Sequence, residues 1–170
     1  MLVQNAYPQN NPLADQLKIV ARLIKGGLKT KMYMVNYGGF DTHANQVESN
    51  NTTMGPHAAL LYHISTAMKA FYEDLQNLGL ADRVLSMTFS EFGRRVNQNG
   101  TAGTDHGTAA PLFVIGDTVR GGMIGENPSL TNVDASGDIK AVFDYRQIYS
   151  TVLSDHLGLS TASTTEIFKK

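Results

Sequence analysis

Residues 83–116 read RVLSMTFSEFGRRVNQNGTAGTDHGTAAPLFVIG, and the fold turns on the two ends of that stretch. Arg83 to Ser90 and Pro111 to Gly116 are short runs rich in apolar, β-branched and aromatic residues, the composition of buried strands. Residues 96–110 between them are too polar and glycine-rich for a regular element. Upstream, Leu60, Leu61, Ile64, Met68, Phe71, Leu75 and Leu78 keep helical period, which predicts a helix over residues 55–78 stopped by Gly79. Before that helix, Lys31 to Tyr37 (KMYMVNY) predicts another buried strand, running into a loop at Gly38-Gly39. Strand, long helix, strand, loop, strand is the order of an α/β protein with a mostly parallel sheet flanked by helices.

The outer segments complete the expectation. Asn11-Pro12 offers an N-cap and a first-turn proline to a helix that buries Leu13, Leu17, Val20, Ala21, Ile24 and Leu28 and ends near Gly27. Past residue 117 the chain breaks into glycine-punctuated pieces, with Val119 to Gly125 and Ile139 to Phe143 as edge strands or a hairpin. Asp144 caps a last helix, Tyr145 to Leu157, ended by Gly158. Residues 1–170 read as one domain with polar termini at 1–11 and 159–170, the second frayed or loosely docked.

Composition removes several classes of function. Fourteen Lys and Arg against fifteen Asp and Glu leave a formal charge of −1, too little for nucleic-acid binding by bulk charge. The absence of cysteine removes disulfides, thiolate metal sites and a thiol nucleophile. No apolar run approaches the roughly 20 residues that span a bilayer, and the first residues show no secretory leader. GxSxG, P-loop and GxGxxG signatures are missing.

In an open parallel sheet, ligands bind beyond the carboxyl ends of the strands. Asp41 and His43 follow the first expected strand, Glu91 and Arg94 the second, and Asp105 and His106 enter the third. Imidazoles and carboxylates on one rim suit a divalent cation, imidazole favouring zinc, manganese or iron and carboxylates harder ions, and zinc or manganese is the expectation. Each residue also has a plainer reading. Asp41-Thr42-His43 can be an Asx-type turn, Glu91 an ion-pair partner of Arg94 or Arg95, and Asp105 a hydrogen-bonding orienter of His106. His57 and His63 read as helix histidines, and His156 as a complement to a helix dipole.

The strings YGGFDTHANQ, SEFGRR, GTDHG, RGGMIGENPSL and FDYRQIYSTVLSDHLG resemble the C-terminal part of the bacterial domain-of-unknown-function family DUF1501. The resemblance implies a divergent branch of the alkaline phosphatase and sulfatase superfamily, whose members hydrolyse or transfer phosphate or sulfate esters at one or two divalent metals. By that likeness Asp41 and His43 are similar to ligands of one metal, His106 to a ligand before a proline-containing strand, and Glu91 to an Asp at the preceding strand end. Two departures stand out: Asp41 and His43 are closer in sequence than the superfamily's pair, and Phe92 stands where a second metal's His would be. The superfamily's Ser or Thr nucleophile comes from an N-terminal half that this chain does not show. The resemblance also implies export, since many members carry a twin-arginine signal ahead of this part.

The expectation is therefore a metal-binding domain of a phosphatase- or sulfatase-like hydrolase, incomplete as a catalyst. Asp41, His43 and His106 would be ligands, with Glu91 and Asp105 as further metal residues and Arg94 clamping a small anionic ester. The rival is a non-catalytic exported binding or scaffolding module. Uncovered apolar surface and strand edges would favour a homo-oligomer.

Overall fold

The computed structural model describes residues 7–168. Helix α1, Pro12–Lys25, starts where the sequence places it: the Asn11 carboxamide oxygen accepts from the Leu13 and Ala14 N–H groups at 3.2 Å, and Pro12 occupies the first turn. Its buried stripe is Leu13, Ala14, Leu17, Val20 and Ala21. Helix α2, Pro56–Asn77, buries Ala67, Ala70, Phe71, Asp74 and Leu75. Gly55 before it has φ +125°, and a Cβ there would lie 2.8 Å from the Val47 Cα, so only glycine fits the entry. The small residues let α1 and α2 approach closely, and these two helices with Tyr7 and Ala81 contain the buried apolar core of the described residues. The Asn11 carboxamide nitrogen fastens the pair by donating to the His63 carbonyl at 2.8 Å.

The expected parallel sheet is not formed. Four strands make two small antiparallel pairs: β1 (Ser86–Met87) with β4 (Val114–Ile115), and β2 (Gly93–Gln98) with β3 (Thr104–Gly107). Among the described residues the architecture is four α-helices with two antiparallel ribbons, not an alkaline phosphatase-like α/β sheet.

Each departure has a local cause. Lys31 to Tyr37 is extended, and its side chains alternate as a strand's do: Tyr33, Val35 and Tyr37 pack on the helical core, while Met32 and Met34 are 72% and 82% exposed. It joins no ladder. The Gln16 carboxamide occupies the Asn36 main chain instead, donating to its carbonyl at 2.8 Å and accepting from its N–H at 3.1 Å. Residues 96–110, expected as loop, supply most of the β2–β3 hairpin. Asn99-Gly100 is a strong turn signal, and the Asn99 N–H donates to the Gly103 carbonyl at 2.9 Å to close the turn.

The C-terminal third departs in the same way. Val119 to Gly125 and Ile139 to Phe143 form no strands; an Asp134 turn accepting from the Ser136 and Asp138 N–H groups organises that region. Helix α3, Tyr145–Thr151, is capped by Asp144 as expected and continues through a π-helical turn over Val152–His156. The tail, expected to be frayed or loosely docked, forms helix α4 over Thr161–Phe168, where Ser160 caps it by accepting from the Ser163 N–H and only Thr164 is buried. The expectation for residues 1–6 and 169–170 falls outside the described residues.

The accessible surface of 11760 Å² compares with roughly 8,200 Å² for a compact monomer of 18.5 kDa. Large apolar side chains exposed among the described residues include Phe89, Phe113, Met123, Ile124 and Phe143. No helix among the described residues is long and apolar enough to cross a membrane.

Candidate metal centre

The loop after residue 37 and the β2–β3 hairpin bring the candidate residues together. Arg94 stands opposite His106 in the hairpin register. The loop holding Asp41 and His43 is laid along the hairpin turn by two main-chain bonds, Asn45 N–H to the Thr101 carbonyl (3.0 Å) and Gln46 N–H to the Ala102 carbonyl (2.9 Å). Gly103 makes this approach possible. A Cβ on it would lie 2.3 Å from the His43 carbonyl carbon and oxygen, so the second glycine of GTAGT is set by the close packing of two backbones.

Asp41, His43 and His106 then converge, all exposed. Asp41 Oδ1 lies 3.1 Å from His43 Nε2 and 2.7 Å from His106 Nε2, and the two Nε2 atoms are 3.2 Å apart. Donors about 2.0–2.1 Å from a tetrahedral zinc are separated by roughly 3.3 Å, so this triangle is close to one face of such a polyhedron. The two imidazoles lie 4.8 Å apart between centroids, tilted by 31°.

Proton accounting sharpens the fit. Asp105 Oδ1 is 3.1 Å from His43 Nδ1. Hydrogen bonds from Asn99 and then from His43 hold the Asp105 carboxyl below its ordinary pKa, so it is ionised and can only accept. His43 Nδ1 therefore carries the hydrogen, and in the neutral ring Nε2 is a bare lone pair. That lone pair faces Asp41 Oδ1, whose own pKa is lowered, first by the hydrogen bond from His106. Two electron-rich atoms 3.1 Å apart need a cation or a proton between them. The carboxylate–histidine pair is the usual outer support of a metal-binding imidazole.

The other expected residues take different places. Asp105 orients His43, not His106. Arg94 donates through its terminal nitrogens to the Thr104 and Phe40 carbonyls, tying the loop to β3, and its Nη2 lies 3.9 Å from Asp41 Oδ1. Glu91 is exposed and outside the converging group. Phe92 stacks on His106, with centroids 3.8 Å apart and planes within 6°, and the Arg94 guanidinium lies 4.9 Å from the Phe92 ring centre. Of the remaining histidines, His63 Nδ1 meets the Tyr37 hydroxyl at 2.6 Å. His57 stands edge-on to Phe40, its pKa lowered by desolvation and then by Arg94.

Sequence reading missed Asn99, which contacts both His43 and Asp105. Its signal was the Asn-Gly pair at the hairpin turn.

A family model described as "Protein of unknown function (DUF1501)" matches residues 4–167. The chain belongs to the DUF1501 family. No curated protein and no solved structure matches it. The DUF1501 description states no activity, so chemistry has to be argued from the convergence of Asp41, His43 and His106.

Proposed function

We propose that the domain binds one divalent cation, zinc or manganese, through Asp41, His43 and His106, and that the centre serves hydrolysis of a small anionic ester of the phosphate or sulfate class. The observation that carries this reading is the convergence of Asp41 Oδ1, His43 Nε2 and His106 Nε2, which lie 3.1, 2.7 and 3.2 Å from one another with Asp105 behind His43 Nδ1, an arrangement that a cation satisfies. Three protein donors are the number found in catalytic zinc sites, where further positions stay open, and exposure of all three leaves solvent access. Such a cation supplies Lewis acidity and a lowered pKa for coordinated water.

The chain's own residues do the rest. Asp105 holds the His43 tautomer, and Phe92 fixes the plane of His106 by stacking. Arg94 fastens the Asp41 loop to β3 and sets a positive charge beside the site, where an anionic ester would gain from it. The two threonines nearest in sequence are already engaged: Thr104 Oγ1 donates to Gln46 Oε1 at 2.9 Å, and Thr42 is buried. That favours water over a side-chain hydroxyl as the attacking group.

Calorimetric titration with zinc and with manganese tests the centre. The wild type is expected to bind one equivalent, and His106→Ala and Asp41→Asn each to bind at least about tenfold more weakly, since removing one of three protein donors leaves too few. Unchanged affinity in both variants overturns the assignment.

The surplus accessible surface supports a homo-oligomer as part of the same reading. Light scattering behind size exclusion at two concentrations is expected to give a mass above 18.5 kDa that rises with concentration; 18.5 kDa at both overturns it.

A further inference from the structure

We propose that Asn99 is the positioning residue of this centre, gripping His43 at both ends: its main chain directly and its imidazole through Asp105. The inference rests on the metal-binding reading of Asp41, His43 and His106, but it concerns the tautomer and pose of His43, which can be measured without any metal.

The Asn99 carboxamide has its orientation fixed by the hairpin turn. Its oxygen accepts from the Thr101 N–H at 3.0 Å and the Gly103 N–H at 3.1 Å. Rotating the amide by half a turn would face NH₂ against two main-chain donors, so the oxygen must point into the turn and the nitrogen outward. The outward nitrogen then meets two acceptors, the His43 carbonyl at 2.8 Å and Asp105 Oδ1 at 3.2 Å. The Thr101 hydroxyl donates a second bond to the His43 carbonyl at 2.6 Å.

The consequence runs along a chain of contacts. Asp105 Oδ1 receives one bond from Asn99 and one from His43 Nδ1, and this is the oxygen that forces the hydrogen onto Nδ1 and leaves Nε2 free toward Asp41. Without the Asn99 nitrogen, an exposed Asp105 carboxylate can rotate away, and His43 then has no reason to prefer one tautomer. Asn99 also joins the hairpin turn to the Asp41–His43 loop. One carboxamide therefore joins, beside the Asn45 and Gln46 main-chain bonds and Arg94, the segments carrying the three donors.

Asn99→Asp separates positioning from plain turn structure. An aspartate keeps the oxygen that accepts from the Thr101 and Gly103 N–H groups, so the turn persists. It places a second oxygen against Asp105 and the His43 carbonyl, so the relay breaks. Read by ring-nitrogen chemical shifts on metal-free protein, the wild type is expected to hold His43 as the Nδ1–H tautomer and Asn99→Asp to show a mixture. Zinc affinity, measured by competition with a chelating dye, is expected to fall about 10- to 100-fold, the range seen when outer supports of a ligand are lost. Helical circular dichroism should be unchanged.

Asp105→Ala removes the acceptor of His43 Nδ1–H while leaving every bond of the Asn99 carboxamide to the turn, and it stays informative if Asn99→Asp unfolds. It is expected to give the same tautomer mixture, and adding Asn99→Asp to it is expected to change the tautomer distribution no further, because Asn99 acts on the ring through Asp105. A wild-type tautomer distribution in Asn99→Asp or in Asp105→Ala overturns the proposal. A wild type that holds the Nδ1–H tautomer but binds no zinc or manganese overturns the metal reading instead.

Discussion

The two ends of this molecule are held together by different physics. From Tyr7 to Ala81, eleven apolar side chains are buried, nearly all of them in α1 and α2. Beyond Ala81 the buried residues among those described are Gly93, Gly103, Asp138 and Thr164. The first region is an apolar core between amphipathic helices, stabilised by surface removed from water. The second, which completes the candidate centre, is tied by polar side chains: Asn99 to the His43 main chain, Arg94 to the Phe40 and Thr104 main chains, and Arg95 to the Asp138 carboxylate at 3.2 Å. Helix pairing is indifferent to small shifts along its stripe, whereas converging Asp41, His43 and His106 needs fixed directions. Hydrogen bonds provide direction where apolar burial does not.

The largest expected effect tests the helical side. Phe71 is 4% exposed in the middle of α2 and packs in the core. Phe71→Ala should cost about 3–5 kcal/mol, a transfer loss plus the cavity left behind. Against a typical total of roughly 5–15 kcal/mol, that is enough to move a urea midpoint far toward zero. Zinc binding should survive under conditions where the variant is still folded, because none of the donors touches this core. An unmoved midpoint would break the comparison, since the apolar cluster would then not be what holds the helices.

The same contrast explains what the sequence disclosed. Asn11-Pro12, the Leu and Phe spacing of α2, and Asp144 ahead of α3 are legible because capping and a 3.6-residue period leave direct marks in composition. Lys31 to Tyr37 shows why the sheet was misread. A strand's alternation states which faces are apolar but not whether a neighbour exists, and here the Gln16 side chain takes the place of one. Asp41, His43 and His106 were singled out together with Glu91, Arg94 and Asp105 by residue type, by place after expected strands and by the family resemblance; the parallel-sheet rim is absent, and a hairpin brings three of them together. Asp105 was read as a ligand or as a partner of His106, because neighbours in sequence suggest neighbours in space. In space Asp105 meets Nδ1 of His43, the ring whose Nε2 lies beside His106. The Asn99-Gly100 pair marks a turn, but nothing local encodes the reach of the Asn99 carboxamide to His43 and Asp105.

Gly103→Ala gives the smaller effect and the sharper test. The added Cβ would sit 2.3 Å from the carbonyl of His43, with main chain on both sides and no flexible side chain to yield. The hairpin turn must therefore move away from the Asp41–His43 loop, lengthening the bonds from Asn45 and Gln46 to Thr101 and Ala102 as it goes. Overpacking of this kind costs roughly 1–3 kcal/mol, less than the Phe71 cavity, and here it falls on a region with few buried apolar contacts. The urea midpoint should shift only modestly and the helical dichroism hold, while zinc affinity drops at least about tenfold because Asp41 and His43 separate from His106. Amide exchange should show where the damage lies: faster in residues 99–107, unchanged in α1 and α2. If Gly103→Ala instead lowers the midpoint as far as Phe71→Ala and speeds exchange throughout both helices, the polar region and the apolar core unfold as one cooperative unit. The division between them would then describe bonding only, not stability.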